Sequence, residues 1–148
     1  MSKIKSFRGK LVDGGQDTIH LRTNTGTTGY TIKKFQIMIT QIGAVDEEHV
    51  VKIYSIEQSS VPTSAGTVDF SDNTLLAAAQ SSASSDARFY PEDYNVVFDN
   101  ITINQDIYIT HTDNQSSADV NYYIELEQRS LDLNESTVAT LKDIRNND

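Results

Sequence analysis

The 148-residue chain contains no cysteine, no tryptophan and only two prolines. Without cysteine, neither a disulfide framework nor a thiolate metal site can form, and the chain suits a reducing compartment. Without tryptophan, the broadest side chain on which a sugar ring can stack is missing. Seven Tyr and five Phe carry all the aromatic surface, so the core should be Ile, Val, Leu and Phe with Tyr at its edges. No apolar run approaches the length of a membrane span, and the opening Met1-Ser2-Lys3-Ile4-Lys5 lacks the apolar stretch of a signal peptide. The expectation is a protein made and kept soluble in a cytoplasm, with no membrane partner. Positive charge is also scarce: 12 Lys and Arg against 21 Asp and Glu give −9. A nucleic-acid partner needs a cationic footprint, so that class is disfavoured.

What is present is β-strand periodicity. Ile101, Ile103, Ile107 and Ile109, then Val120, Tyr122, Ile124 and Leu126, are apolar at alternate positions, and the residues between them are polar. Strict alternation places one set on a core face and the other in water. Strands are predicted over Lys3–Val12, Thr18–Thr23, Tyr30–Thr40, His49–Glu57, Tyr94–Asp99, Ile101–Thr112 and Asp119–Leu131. Asp13-Gly14-Gly15 and 112–117 are turns, and Asn104-Gln105-Asp106 is an alternative turn inside the sixth of these strands. Tyr30 and Ile32 lie on even positions but Phe35, Ile37 and Ile39 on odd ones, so a β-bulge or sheet crossing is predicted at Lys33-Lys34. His49–Glu57 is apolar on both parities and should be covered on both faces.

Asp69 to Gln80 reads as a short helix, with Ser71 or Asp72 as N-cap and Leu75-Leu76-Ala77-Ala78-Ala79 as its helix-forming run. The tail 134–145 carries Val138, Leu141 and Ile144 at spacings of three, the pattern of a weak amphipathic helix or an arm that orders on a partner. Many short strands without a helix–strand rhythm predict a single all-β domain over 1–148, a jelly-roll-like β-sandwich with one or two short helices.

The residues with chemical potential lie far apart in sequence. His20, His49 and His111, with Glu125 and Glu127, are not expected to converge. His111 and Asp113 share a strand face but lack a third metal ligand nearby. Asp13 and Asp17 flank two glycines without the regular oxygen ligands of a calcium loop. Glu125 and Glu127 are spaced as paired carboxylates of a glycosidase are, about 6–7 Å apart on one strand face, but an ordinary solvated strand face looks the same. No nucleophile elbow or phosphate loop occurs. The pattern implies no catalytic residue, cofactor or metal.

Charge is unevenly distributed. Residues 1–34 hold Lys3, Lys5, Arg8, Lys10, Arg22, Lys33 and Lys34 against Asp13 and Asp17, a net +5, while the remainder carries −14. A basic N-terminal strand facing an acidic protein partner follows from this, provided that the segregation survives folding.

Six stretches carry a likeness of wording: Gly29–Met38 (GYTIKKFQIM), Glu48–Tyr54 (EHVVKIY), Val68–Ala79 (VDFSDNTLLAAA), Phe98–Asp113, Asn121–Gln128 (NYYIELEQ) and Val138–Arg145 (VATLKDIR). Through them nearly the whole chain resembles small virion structural proteins of marine tailed phages, those of cyanobacteria and pelagibacters. The resemblance implies a virion component assembled in the host cytoplasm and present as a homo-oligomer or in many copies. Its partners would be other virion proteins, the major capsid protein first. A head cement or decoration protein is the leading expectation. A tail, baseplate or fibre-base component, or a carbohydrate-binding adsorption module, is the alternative. The candidate interface is Lys3, Ile4, Lys5, Arg8 and Lys10 on the first strand, with Val138, Leu141 and Ile144 on the C-terminal arm.

Overall fold

A computed structural model describes residues 3–23, 27–41, 46–64, 66–83, 94–115 and 117–131. Eight strands follow one another: β1 (Lys3–Leu11), β2 (Gln16–Ile19), β3 (Thr28–Ile39), β4 (Glu47–Tyr54), β5 (Leu75–Ala83), β6 (Tyr94–Phe98), β7 (Ile107–Asp113) and β8 (Val120–Ser130). They form a three-stranded sheet ordered β1-β8-β3 and a five-stranded sheet ordered β2-β7-β4-β5-β6. Every pairing is antiparallel. The order is that of a long hairpin rolled on itself: β1 pairs β8, β2 pairs β7 and β4 pairs β5, the jelly-roll arrangement. β6 departs from it by staying beside β5. At its first residue the Tyr94 hydroxyl reaches the other sheet and accepts the Ile37 N–H of β3 at 3.2 Å.

The inward residues of the two sheets make one core. Leu11, Ile32, Phe35, Ile37, Val120, Tyr122, Ile124 and Leu126 come from the three-stranded sheet, and Ile19, Val51, Ile53, Ala77, Ala79, Ile107 and Ile109 from the five-stranded one. The predicted parity switch is present as a bulge between Ile32 and Lys34. Lys33 is the extra residue, so Ile32 and Phe35 both point inward at 3% and 2% exposure. β4 is covered on both faces. Its outer side lies under segments 55–64 and 66–74, where Lys52 Nζ donates to the Thr67 carbonyl and Thr112 Oγ1 to that of Pro62. Residues 104–106 form the alternative turn, which shortens the predicted strand to β7 and leaves Ile103 bridged to Tyr30.

The helix expected over 69–80 is absent, and the described residues contain none. Leu75–Ala83 is strand β5, hydrogen-bonded to β4 on one side and β6 on the other. A short run that is apolar on both parities meets the needs of a strand buried on both faces, and tertiary pairing overrides the intrinsic preference of Leu and Ala for helix. The expected caps serve turns instead. Asp69 Oδ1 accepts the Ser71 N–H and hydroxyl, and Asp72 Oδ1 those of Thr74, side-chain bonds that compete with helix. The second expected helix, over 134–145, lies outside the described residues.

Gly9 makes room for a stitch between the sheets. It pairs with Tyr122, and a Cβ there would lie 2.8 Å from the Tyr122 hydroxyl oxygen. The ring passes over β1, and its hydroxyl donates to Asp17 Oδ2 on β2 at 2.9 Å.

Ile124, fully buried at the centre of the three-stranded sheet, tests the register. Its truncation to Ala is expected to cost about 2–5 kcal/mol, read as a lower denaturant midpoint; an unmoved midpoint contradicts the inward assignment.

Candidate functional site

The N-terminal interface candidates all lie on β1, but strand alternation divides them. Ile4, Arg8 and Lys10 are exposed on the outer face of the three-stranded sheet. Lys5 belongs to the inner parity with Phe7 and Leu11, and its ammonium sits 5.8 Å from the centre of the Tyr30 ring, at cation–π distance. Lys3 shares that parity but lies exposed at the strand start. Lys10 pairs loosely with Asp119 at 3.8 Å. Among the described residues, Lys3, Arg8 and Lys34 have no carboxylate within ion-pairing distance. Val138, Leu141 and Ile144 lie outside the described residues.

The segregation of charge persists in three dimensions. The strands of the three-stranded sheet carry Lys3, Lys5, Arg8, Lys10, Lys33, Lys34 and Arg129 against Glu125 and Glu127, a net +5. Those of the five-stranded sheet carry Lys52 against Asp17, Glu47, Glu48 and Asp113, a formal −3, but Glu47 and Asp113 are buried and Glu47 shares a proton with His49. Exposed positive charge is thus concentrated on the three-stranded sheet, although the overall charge is −9.

A groove of about 770 Å³ crosses the basic sheet, lined by Arg8, Gln36, Met38, Asn121 and Tyr123, with Tyr94 at its β3 side. The Tyr123 hydroxyl donates to Glu125 Oε2 at 2.8 Å, which holds the ring along the strand and raises its own pKa. Guanidinium, two amides, a thioether and aromatic surface thus line one open concavity. Glu125 serves Tyr123 and Glu127 faces Lys33 Nζ at 3.6 Å; neither approaches a histidine.

The histidines require a correction. His49 and His111 do converge, from β4 and β7, inside the sandwich. His49 Nδ1 lies 2.8 Å from His111 Nε2, and His49 Nε2 lies 3.0 Å from Glu47 Oε1. All three residues are at most 1% exposed. Glu47 and His49 are two apart and so share one face of β4, while His111 meets them through the pairing of β4 with β7. The Glu-x-His spacing was visible in the sequence; the strand pairing that completes the cluster was not. His20 stands apart, with its Nδ1 3.5 Å from Asp106 Oδ2.

Hydrogen-bond logic orders the protons. His111 Nδ1 faces the Val12 carbonyl at 3.0 Å, so it must donate there. Burial lowers the His111 pKa and keeps the ring neutral, leaving Nε2 as an acceptor. His49 Nδ1 therefore donates to it. One proton remains between His49 Nε2 and Glu47 Oε1, while Glu47 Oε2 is buried without a partner among the described residues. The assembly is a sealed, directional proton chain that pins the Val12 turn to the core.

Asp113 completes this end of the molecule. Burial acts to raise its pKa, but the N–H groups of Gln115, Ala118 and Glu48 bonded to its carboxylate outweigh burial and lower it. Asp13 Oδ1 accepts the Asp113 N–H, and Gly14, at φ 78°, turns the chain beside it. The two aspartates are thus used by backbone amides, and among the described residues no three His, Asp or Glu side chains are arranged to hold a metal ion.

No family model and no curated protein matches the chain. Among solved structures it is similar to the crystal structure of the botulinum neurotoxin serotype G binding domain, with 9% identity and a TM-score of 0.29. That match covers 97% of this chain and 45% of that one.

The neutral, buried His111 sets an acid limit. The unfolded chain takes up a proton below the ordinary imidazole value of 6.5, which the folded state resists, so stability is present above that pH and falls below it. Asp113 adds a second loss only below its ordinary value of 3.8. Thermal unfolding is expected to shift downward between pH 7 and 5; a flat profile there contradicts the proton order.

Proposed function

We propose that the chain is a non-enzymatic structural protein of a tailed-phage virion, a cement or decoration protein that sits on the capsid shell with its basic three-stranded sheet inward. The observation that carries this reading is the net +5 on the strands of the three-stranded sheet in a chain whose overall charge is −9. A body so charged presents its basic sheet to an acidic lattice, and charge complementarity speeds docking and fixes orientation. The likeness to marine phage virion proteins supports the setting. The jelly roll is compatible with it, since capsid domains use this architecture, though fold does not by itself assign function.

Exposed ion pairs contribute only about 0–1 kcal/mol each, so apolar contacts such as those of Ile4 must add specificity, and salt should loosen the docking without abolishing it. Because β1 pairs with β8 from Lys3 onward, deleting the first residues would remove part of a sheet. Reversing exposed charges is the cleaner test. The K3E/R8E/K10E variant is expected to fold and to be lost from particles, measured by quantitative mass spectrometry of purified virions. Full incorporation of that variant contradicts the docking face. Copy number in the same measurement separates head from tail: copies on the scale of shell subunits mean head, copies on the scale of tail symmetry mean tail or baseplate.

The groove favours a second reading, a carbohydrate-binding module used in adsorption. Tyr123 and Tyr94 offer ring faces, while Gln36, Asn121 and Arg8 offer hydrogen bonds to hydroxyls. On that reading Tyr123→Ala abolishes binding to host surface polysaccharide in calorimetric titration, and wild-type protein that shows no binding rejects it.

A further inference from the structure

We infer that the free edge of β1 is a strand-acceptor site for an extended acidic segment of a partner protein, which adds antiparallel to the three-stranded sheet. β1 has nine residues and, among the described residues, pairs with β8 on one side only. Over roughly 30 Å its alternate N–H and C=O groups face away from the sheet, a template for another strand. The other edges offer less. β3 is engaged by Ile103, whose N–H and C=O exchange bonds with Tyr30, and by the Tyr94 hydroxyl. β2 has four residues and β6 five.

Charge selects the occupant. A second copy of β1 laid antiparallel would bring Lys and Arg against Lys and Arg, and lysine on an edge strand is a recognised block to such pairing. The same charges attract a strand bearing carboxylates. Lys3 and Arg8 have no carboxylate partner among the described residues, and Lys10 holds Asp119 only at 3.8 Å in a solvent-exposed pair.

The outer face of β1 reads Ile4, Ser6, Arg8, Lys10, with Ile4 53% exposed. Residues directly opposite one another across antiparallel strands interact. The incoming strand is therefore Glu-x-Glu-x-Thr-x-Val from its N-terminus: two carboxylates over Lys10 and Arg8, a hydroxyl over Ser6 and a branched apolar residue over Ile4. The inference rests on the proposed function only for the identity of the donor, which would there be a shell protein.

The test uses the full chain and a fluorescent synthetic peptide of that pattern, titrated by anisotropy. Three further probes accompany it: the peptide N-methylated at alternate residues, the peptide with Lys in place of both Glu, and the R8E/K10E protein. Saturable binding of the plain peptide is expected, with loss on N-methylation and on Lys substitution. The R8E/K10E protein should bind the plain peptide about tenfold more weakly or worse. Absence of saturable binding, equal binding of the N-methylated peptide, or an unchanged affinity in R8E/K10E each overturns the inference. Peptide binding with no protein in purified particles would reject the virion role alone; incorporation without peptide binding would reject strand addition alone.

Discussion

The alternation of β8 is the constraint on which the rest depends. Val120, Tyr122, Ile124 and Leu126 all face inward and are buried, and β8 lies between β1 and β3 and hydrogen-bonds both. Its register forces the outer partners into rows: Arg8, Tyr123 and Gln36 in one, Lys10, Asn121 and Met38 in the next. Those rows are the groove and the basic face. A slip of one residue would turn Glu125 and Glu127 into the core and Ile124 into solvent, an exchange too costly to be populated. The surface available for binding is thus a by-product of which β8 residues are greasy.

Much of this was legible in the chain, for a local reason. Strand parity is written residue by residue, so the inward faces of β1, β3, β7 and β8 followed from alternation, and the Lys33 bulge from its one fault. Where one physical tendency competed with another, local reading failed. Leu75–Ala79 has high helix propensity, yet its burial between β4 and β6 makes it strand. The sequence left open whether Asn104-Gln105-Asp106 was strand or turn; the turn is found, where Asp106 Oδ1 takes the N–H groups of Leu21 and Arg22, a partner more than eighty residues away.

The same limit explains the site. The basic character of β1 and β3 is a property of sequence, and it survives because both strands flank β8 in one sheet. The buried Glu47, His49 and His111 chain depends on which strands neighbour each other, and nothing local announces that β4 meets β7. Three polar groups sealed in a core are costly unless hydrogen-bonded in full. Here the order of donors leaves a single shared proton and one unpartnered carboxylate oxygen, so the polar end of the core holds its geometry under tight electrostatic terms. It anchors the turn at Val12 that ends β1, and so helps fix the edge and face on which binding is proposed.

The central claim, that the basic sheet faces a partner while the opposite side of the sandwich stays in solvent, is tested most directly by lysine acetylation footprinting of assembled particles against free protein. Lys3, Lys10 and Lys34, exposed in the isolated chain, are predicted to lose reactivity on assembly while carboxylates of the opposite sheet, such as Glu48, stay modifiable by carbodiimide. Equal lysine labelling in both states, or protection confined to the acidic sheet, would contradict the account.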